Sequence, residues 1–305
     1  MKKDSHKQSV QTTGHAWDGD LQEFNNPLPR WWLWGFYGTA VFAVIYWVFF
    51  PAWPFGTGFT TGVLNDITYT TADGREVTRH WNTRSLLDKE MAQARSDQQQ
   101  FLDELKGASY ADIRTDQRKS AFAYSMAKVL YADNCAACHQ AGGAGKVGMY
   151  PNLADDAWLW GGNFARIEET IRDGRNGYMP AFRKSLDETQ LAEVTDYVLS
   201  LSGHAVDVQA AARGKDIFNG QDGGCHLCHT SEATGMVSLG SANLTDSVWT
   251  IADVPGQGDI EGKRRAVREV IEHGVSRQMP GWAGRLNEAE IKILTFYVRE
   301  LGGGA

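Results

Sequence analysis

Cysteine is scarce here. Four in 305 residues are too few for the disulfide-dense framework of a small secreted fold. There is no basic surplus either: 30 Lys and Arg stand against 37 Asp and Glu, a formal net charge of −7, which argues against nucleic acid as a partner. Lys2, Lys3, Lys7 and Arg30 balance Asp4, Asp18, Asp20 and Glu23 in the first 53 residues, so the acidic excess lies wholly beyond them. Long uncharged runs are missing with one exception, near the N-terminus. Apolar residues at 42% and charged residues at 22% are globular proportions and exclude wholesale disorder.

What the chain does hold is concentrated. All four cysteines sit in two pentapeptides, Cys135-Ala-Ala-Cys138-His139 and Cys225-His226-Leu-Cys228-His229. C-x-x-C-H is the spacing of c-type haem attachment. Each thiol adds across one vinyl group, and the two intervening residues let one turn of chain reach both. The adjacent His then falls beneath the ring, where it can bind iron. A redox dithiol or half a zinc site would share the C-x-x-C spacing, but neither pentapeptide has an obvious second ligand pair nearby. The reading is two covalently bound haem c groups.

From Trp31 to Trp53 there are 23 residues without a charge, and the next charged residue is Asp66; about 20 apolar residues suffice to cross a bilayer core. Pro51 and Pro54 end the helix, and Trp31, Trp32, Trp34, Trp47 and Trp53 cluster towards its two ends, as interfacial aromatics do. A cleaved signal peptide would have a shorter apolar region and a small-residue cleavage site, whereas Phe49-Phe50-Pro51 follows here. Four basic residues precede the span and none follows until Arg75. The positive-inside rule therefore puts residues 1–30 in the cytoplasm and exports the rest. Beyond the span, Ile67–Thr71 and Glu76–Trp81 flank Asp73-Gly74 and suggest a small hairpin. Leu87, Met91, Ala94, Phe101 and Leu105 then recur at helical spacing.

The two pentapeptides anchor an internal repeat. Cys135 and Cys225 are 90 apart, Trp158 and Trp249 are 91 apart, and Met179-Pro180 and Met279-Pro280 are 100 apart. The offset grows through a loop insertion around 253–262, rich in Gly, Pro and Asp. Each repeat reads as helices around a haem. Phe122–Tyr131 and Ala210–Phe218 are helical in pattern, and Ala127 and Gly214 are small enough to let another helix cross. Leu191, Val194, Val198, Leu201 and Ile291, Leu294, Val298, Leu301 form closing stripes of period near 3.6. Ser185 with Glu188, and Asn287 with Glu290, mark helix starts.

His139 and His229 each supply one axial iron ligand by adjacency. The opposite ligand has four candidates: Met149, Met179, Met236 and Met279. Met149 and Met236 follow their His by only 10 and 7 residues, a short run to carry a ligand around the ring. Met179 and Met279 follow at 40 and 50, each before a proline that fixes the backbone near the sulfur. Met/His ligation leaves no open iron position and favours electron transfer over oxygen or peroxide chemistry. The ligand His should give its other N–H to a fixed acceptor, and the carbonyls of Pro151 and Ala242 stand at the matching places. Arg166, Arg172, Arg264 and Arg268 read as helix-surface charge, and His226 as solvent-facing.

Together these residues resemble the dihaem subunit of cbb3-type cytochrome c oxidase. The specific part is Gly14-His15-Ala16-Trp17-Asp18-Gly19 with Asn25-Asn26-Pro27-Leu28-Pro29-Arg30-Trp31-Trp32, just before the span. The resemblance implies an all-α chain: one N-terminal transmembrane helix, then two tandem class I cytochrome c domains. The expected division is a cytoplasmic segment 1–30, an anchor 31–53, a periplasmic linker with a helix 54–115, and haem domains 116–204 and 205–305. It places covalent attachment on Cys135, Cys138, Cys225 and Cys228, and axial ligation on His139, Met179, His229 and Met279. It implies a bacterial inner-membrane protein that takes electrons from soluble cytochrome c. They pass towards a monohaem cytochrome c subunit and the haem–copper catalytic subunit, with no catalysis in this chain itself. The alternatives are a dihaem electron-transfer subunit of a quinone-dependent dehydrogenase, or a dihaem cytochrome c peroxidase.

Overall fold

The computed structural model describes residues 11–63, 66–71 and 73–302. They fall into two units, 1–98 and 99–305. Lys2, Lys3 and Lys7, on which the orientation reading rests, lie outside the described residues.

In the first unit β1 (Thr12–Trp17) and β2 (Leu21–Phe24) pair antiparallel. The chain reverses through Asp18 and Gly19, both at positive φ. Helix α1 (Arg30–Phe49) follows: 20 residues, none of them buried, and apolar enough to cross a membrane. At a rise of about 1.5 Å per residue it is about 30 Å long, the thickness of a hydrocarbon core. It stops where Phe50 turns extended before Pro51. Two small antiparallel ladders come next, β3 (Pro54–Phe55) with β4 (Gly58–Phe59) and β5 (Asp66–Thr70) with β6 (Glu76–His80). The second is the hairpin expected around Asp73-Gly74. Helix α2 (Thr83–Gly107) carries the chain into the second unit.

There, α3 (Tyr110–Thr115) and α4 (Gln117–Asn134) lead to α5 (Ala136–His139), the first haem-type motif. Then come α6 (Phe164–Asp173), β7 (Arg175–Met179) and α7 (Glu188–Leu201). The second repeat runs α8 (Val208–Asn219), α9 (His226–His229), α10 (Ile260–His273), β8 (Val275–Met279) and α11 (Glu288–Leu301). Helix α11 starts on an Asn287/Glu290 capping box, as expected. Helix α7 starts two residues later than expected, on Asp187, whose side chain accepts from the Gln190 N–H while the Gln190 side chain accepts from the Asp187 N–H, because Asp caps a helix as well as Ser does.

The fold is helix-dominated, as a class I cytochrome c requires, but not strictly all-α: eight short strands form four two-stranded ladders among the described residues. One ladder matters for function. Strands β7 and β8, the segments ending in the two Met-Pro pairs, run antiparallel, with Arg175 opposite Met279 and Met179 opposite Val275.

Helix packing does not respect a boundary at 204/205. The closing helix of the first repeat, α7, packs on α8 and α10 of the second, and α11 packs on α4 and α6 of the first. Leu191, Val194 and Val198 are buried with Phe218, Val267 and Ile271. Ile291, Leu294 and Val298 are buried with Tyr131, Ile167 and Ile171. Each such side chain contributes about 1.5–3 kcal/mol on leaving water. The small residues sit where helices cross, as their size suggests: Ala127 is fully buried, and a β-carbon at Gly214 would lie 2.0 Å from the Glu193 carbonyl oxygen of α7. Ion pairs join the same partners. Arg264 of α10 grips Asp196 of α7 at 2.7 and 3.1 Å, and Arg268 pairs with Glu188. On the other side Lys106 and Arg114 bind Glu288 and Glu300 of α11.

Candidate haem-binding site

Each C-x-x-C-H forms a single helical turn closed on its first cysteine. The Cys135 carbonyl accepts from the N–H of His139 at 2.9 Å, and the Cys225 carbonyl from that of His229 at 2.9 Å. Gln140 and Thr230 then take positive φ, 62° and 68°, and turn the chain off the motif. The turn is locked again when Gly145 and Gly235 donate to the carbonyls of His139 and His229 at 2.8 and 2.9 Å.

The histidines are oriented as expected. Nδ1 of His139 donates to the Pro151 carbonyl at 3.1 Å, and Nδ1 of His229 donates to the Ala242 carbonyl at 2.9 Å. A carbonyl only accepts, so the proton is on Nδ1 and the Nε2 lone pair is left for a metal. Burial lowers both imidazole pKa values, opposed in part by these carbonyl bonds. His226 is not solvent-facing: it is half-buried, with Nδ1 3.2 Å from the Phe218 carbonyl.

All four cysteines are free thiols. Burial pushes Cys135 and Cys225 up to about 11. A redox dithiol needs a lowered thiol pKa, so that reading is disfavoured. Instead both motifs open onto one cavity of about 710 Å³ that Met179 and Met279 also line. Alternation along an antiparallel pair puts Arg175, Gly177 and Met179 on one ladder face with Val275, Arg277 and Met279, and every one of them borders the cavity. Met149 also borders it but is about half exposed; Met236 does not.

The cations sort cleanly. Arg166, Arg172, Arg264 and Arg268 are committed to carboxylates. Arg175 binds Glu169 at 2.9 Å and lies over the Trp160 ring. Arg277, in mid-ladder, has no carboxylate partner among the described residues, and burial lowers its pKa. Sequence reasoning missed it. The available signal was the mismatch of Gly177-Tyr178-Met179 with Arg277-Gln278-Met279 in otherwise matching repeats.

Comparison with known proteins decides the family. Residues 9–57 match the N-terminal domain of cytochrome oxidase-cbb3, FixP. Residues 123–198 and 209–298 match cytochrome c oxidase, cbb3-type, subunit III. The cbb3-type cytochrome c oxidase subunit FixP of Azorhizobium caulinodans is 40% identical over 96% of this chain and 93% of its own length. The CcoP subunits of Azospirillum sp. (strain B510) and Cereibacter sphaeroides are 37% and 35% identical, over 97% and 96% of this chain and 96% and 95% of theirs. The chain belongs to the cbb3-type cytochrome c oxidase subunit III family.

The residues fit the haem c that a subunit III implies. Four free thiols, two imidazoles with Nε2 left over, an apolar cavity and one uncompensated guanidinium answer its vinyls, iron, ring and carboxylates. When bound, haem supplies a reversible one-electron couple. Among the described residues, helix α1 is one candidate membrane span.

Proposed function

We propose that this chain is the dihaem electron-entry subunit of a cbb3-type terminal oxidase. It takes electrons from a soluble cytochrome c and passes them to the oxidase core, through a monohaem cytochrome c subunit to the haem–copper subunit. Thioether bonds form at Cys135 and Cys138, and at Cys225 and Cys228. Axial ligands come from His139, His229, Met179 and Met279. Residues 1–30 are cytoplasmic, α1 crosses the bacterial inner membrane, and the haem-bearing unit is periplasmic.

The carrying observation is the doubled arrangement on one cavity: an imidazole held by a carbonyl, two thiols and a sulfur on the facing ladder. Six-coordinate iron leaves no position for peroxide, which disfavours the peroxidase alternative. The protein's part is to hold the ligands still and exclude water, so that little reorganises when charge moves. The acidic excess suits a basic electron donor.

Purification of the membrane complex tests this. Two covalent haems per chain, low-spin oxidised spectra and companion haem–copper and monohaem subunits are the expected results. A high-spin haem that binds peroxide, or companions of a quinone-dependent dehydrogenase, would refute it.

A further inference from the structure

The repeat suggests that each haem takes its histidine and methionine from the same repeat, as two separate domains would. The packing says otherwise. Met179 packs on the buried cluster that holds Phe218, the same cluster on which Cys225, Leu244 and Trp249 of the second repeat pack. Met279 packs on the buried cluster that holds Tyr131, the same cluster on which Cys135, Leu153 and Trp158 of the first repeat pack.

Backbone contacts agree at both ends of the ladder. Three residues after Met179, the Phe182 N–H donates to the Ile271 carbonyl of α10 at 3.0 Å. Three residues after Met279, the Trp282 N–H donates to the Ile171 carbonyl of α6 at 3.0 Å.

The crossing is also fixed by two glycines. Gly174 and Gly274 end α6 and α10 at φ +77° and +71°, where side chains are disfavoured. A β-carbon on Gly174 would stand 2.3 Å from the Met279 carbonyl oxygen, and one on Gly274 would stand 2.5 Å from that of Met179. Each glycine makes room for the methionine segment of the other repeat.

We infer that the axial pairs are exchanged: His139 with Met279, and His229 with Met179. This rests on the reading that both methionines are ligands, and sets which iron each one serves. The consequence is mutual dependence, because neither haem reaches its final coordination until both repeats are in place.

A spectral tag on one haem tests this in the full-length chain. Cys135→Ala leaves the first haem on one thioether; its unreacted vinyl stays conjugated and moves its visible bands to longer wavelength. Redox titration at the tagged band then follows the first haem alone. Met279→Leu should lower the tagged midpoint and Met179→Leu should leave it in place, with the reverse at the untagged band. If Met179→Leu lowers the tagged midpoint instead, pairing is within repeats; the exchange is wrong while methionine ligation stands. If neither substitution moves either midpoint, methionine ligation fails and the exchange with it.

Should the tagged chain not mature, Cys135→Ala/Cys138→Ala, which keeps only the second haem, serves. There Met179→Leu should abolish the sulfur-to-iron charge-transfer band and Met279→Leu should not. The opposite pattern would overturn the exchange.

Discussion

Changing Gly214 to Ala gives the packing a sharp test, because two effects of opposite sign compete. In an exposed helix interior the change is favourable by about 0.8–1 kcal/mol, since alanine is the better helix former. At Gly214 the new methyl would meet the Glu193 carbonyl oxygen at 2.0 Å, its carbon at 2.5 Å and the Tyr197 β-carbon at 2.9 Å. Two of these three atoms are backbone, so α7 must lift off α8 by about 1 Å. Overpacking of this kind costs about 1–3 kcal/mol, occasionally more. With an unyielding backbone the upper end applies, and after the propensity gain the net loss is about 2 kcal/mol. At 2–4 °C per kcal/mol for a unit of this size, the unfolding midpoint should fall by about 4–8 °C. Loss of haem quenching of tryptophan fluorescence on heating would report it in the detergent-solubilised chain. The midpoint of the second haem should shift more than that of the first, because α7 follows Met179 and packs around the second motif. An unchanged or raised unfolding temperature would refute the reasoning.

Two further outcomes rest on charges. Glu169 is held down to about 2, first by the hydrogen bond from Arg175 and then by that from Arg166. A carboxylate lower in the folded than in the unfolded state stabilises above its unfolded value of 4.5 and loses that contribution as pH falls towards 2. Glu169→Gln should therefore flatten the stability profile between about pH 4.5 and 2 and leave its neutral-to-alkaline part unchanged in slope; urea midpoints across that range would show it. Arg277→Leu removes the unpartnered cavity cation. At about 10 Å and an effective dielectric of about 20, a unit charge shifts an iron centre by about 1–2 kcal/mol. Both haem midpoints should drop, Arg277→Lys should largely restore them, and unchanged midpoints would show that Arg277 does not face the haems.

The chemistry was legible in the sequence because it is written in adjacent residues. C-x-x-C-H, Met-Pro, the uncharged run and the Asn287 capping box are short-range signals, and each fixes one local event. The carbonyl partners of His139 and His229 were legible too, since they follow from matching the repeats. Which α7 or α11 stripe covers which motif was not. Both stripes are apolar at the same period, and either would bury against Phe218 or Tyr131. The strands β7 and β8 were equally hidden, because Arg-Asn-Gly-Tyr-Met and Val-Ser-Arg-Gln-Met are weak strand formers that pair only once the helices bring them together. Asp196 and Arg264 illustrate the same limit: each is an ordinary helix charge until its partner, 68 residues away, arrives.

Chain connectivity itself favours the exchange. Six residues, 202–207, join α7 to α8, whereas 153 residues, 135–287, separate α4 from α11. Packing within repeats would close loops of 53 residues, 135–187, and 68 residues, 220–287. Closure entropy grows as the logarithm of loop length, so one very short and one long loop cost less than two of middling length, here by about 1 kcal/mol. A short connection also makes α7 and α8 antiparallel neighbours by default. Lengthening it should remove the bias. Inserting about 18 Gly/Ser residues between Gly203 and Val206 roughly quadruples the short loop and costs about 1.2 kcal/mol, at about 0.6 per doubling. Where side-chain packing is comparable in the two arrangements, a fraction of the molecules should then pair within repeats, and the tagged haem should titrate as two components. A single component with the exchanged ligand would show that the specific contacts at Gly174, Gly274 and Gly214, and not connectivity, decide the pairing.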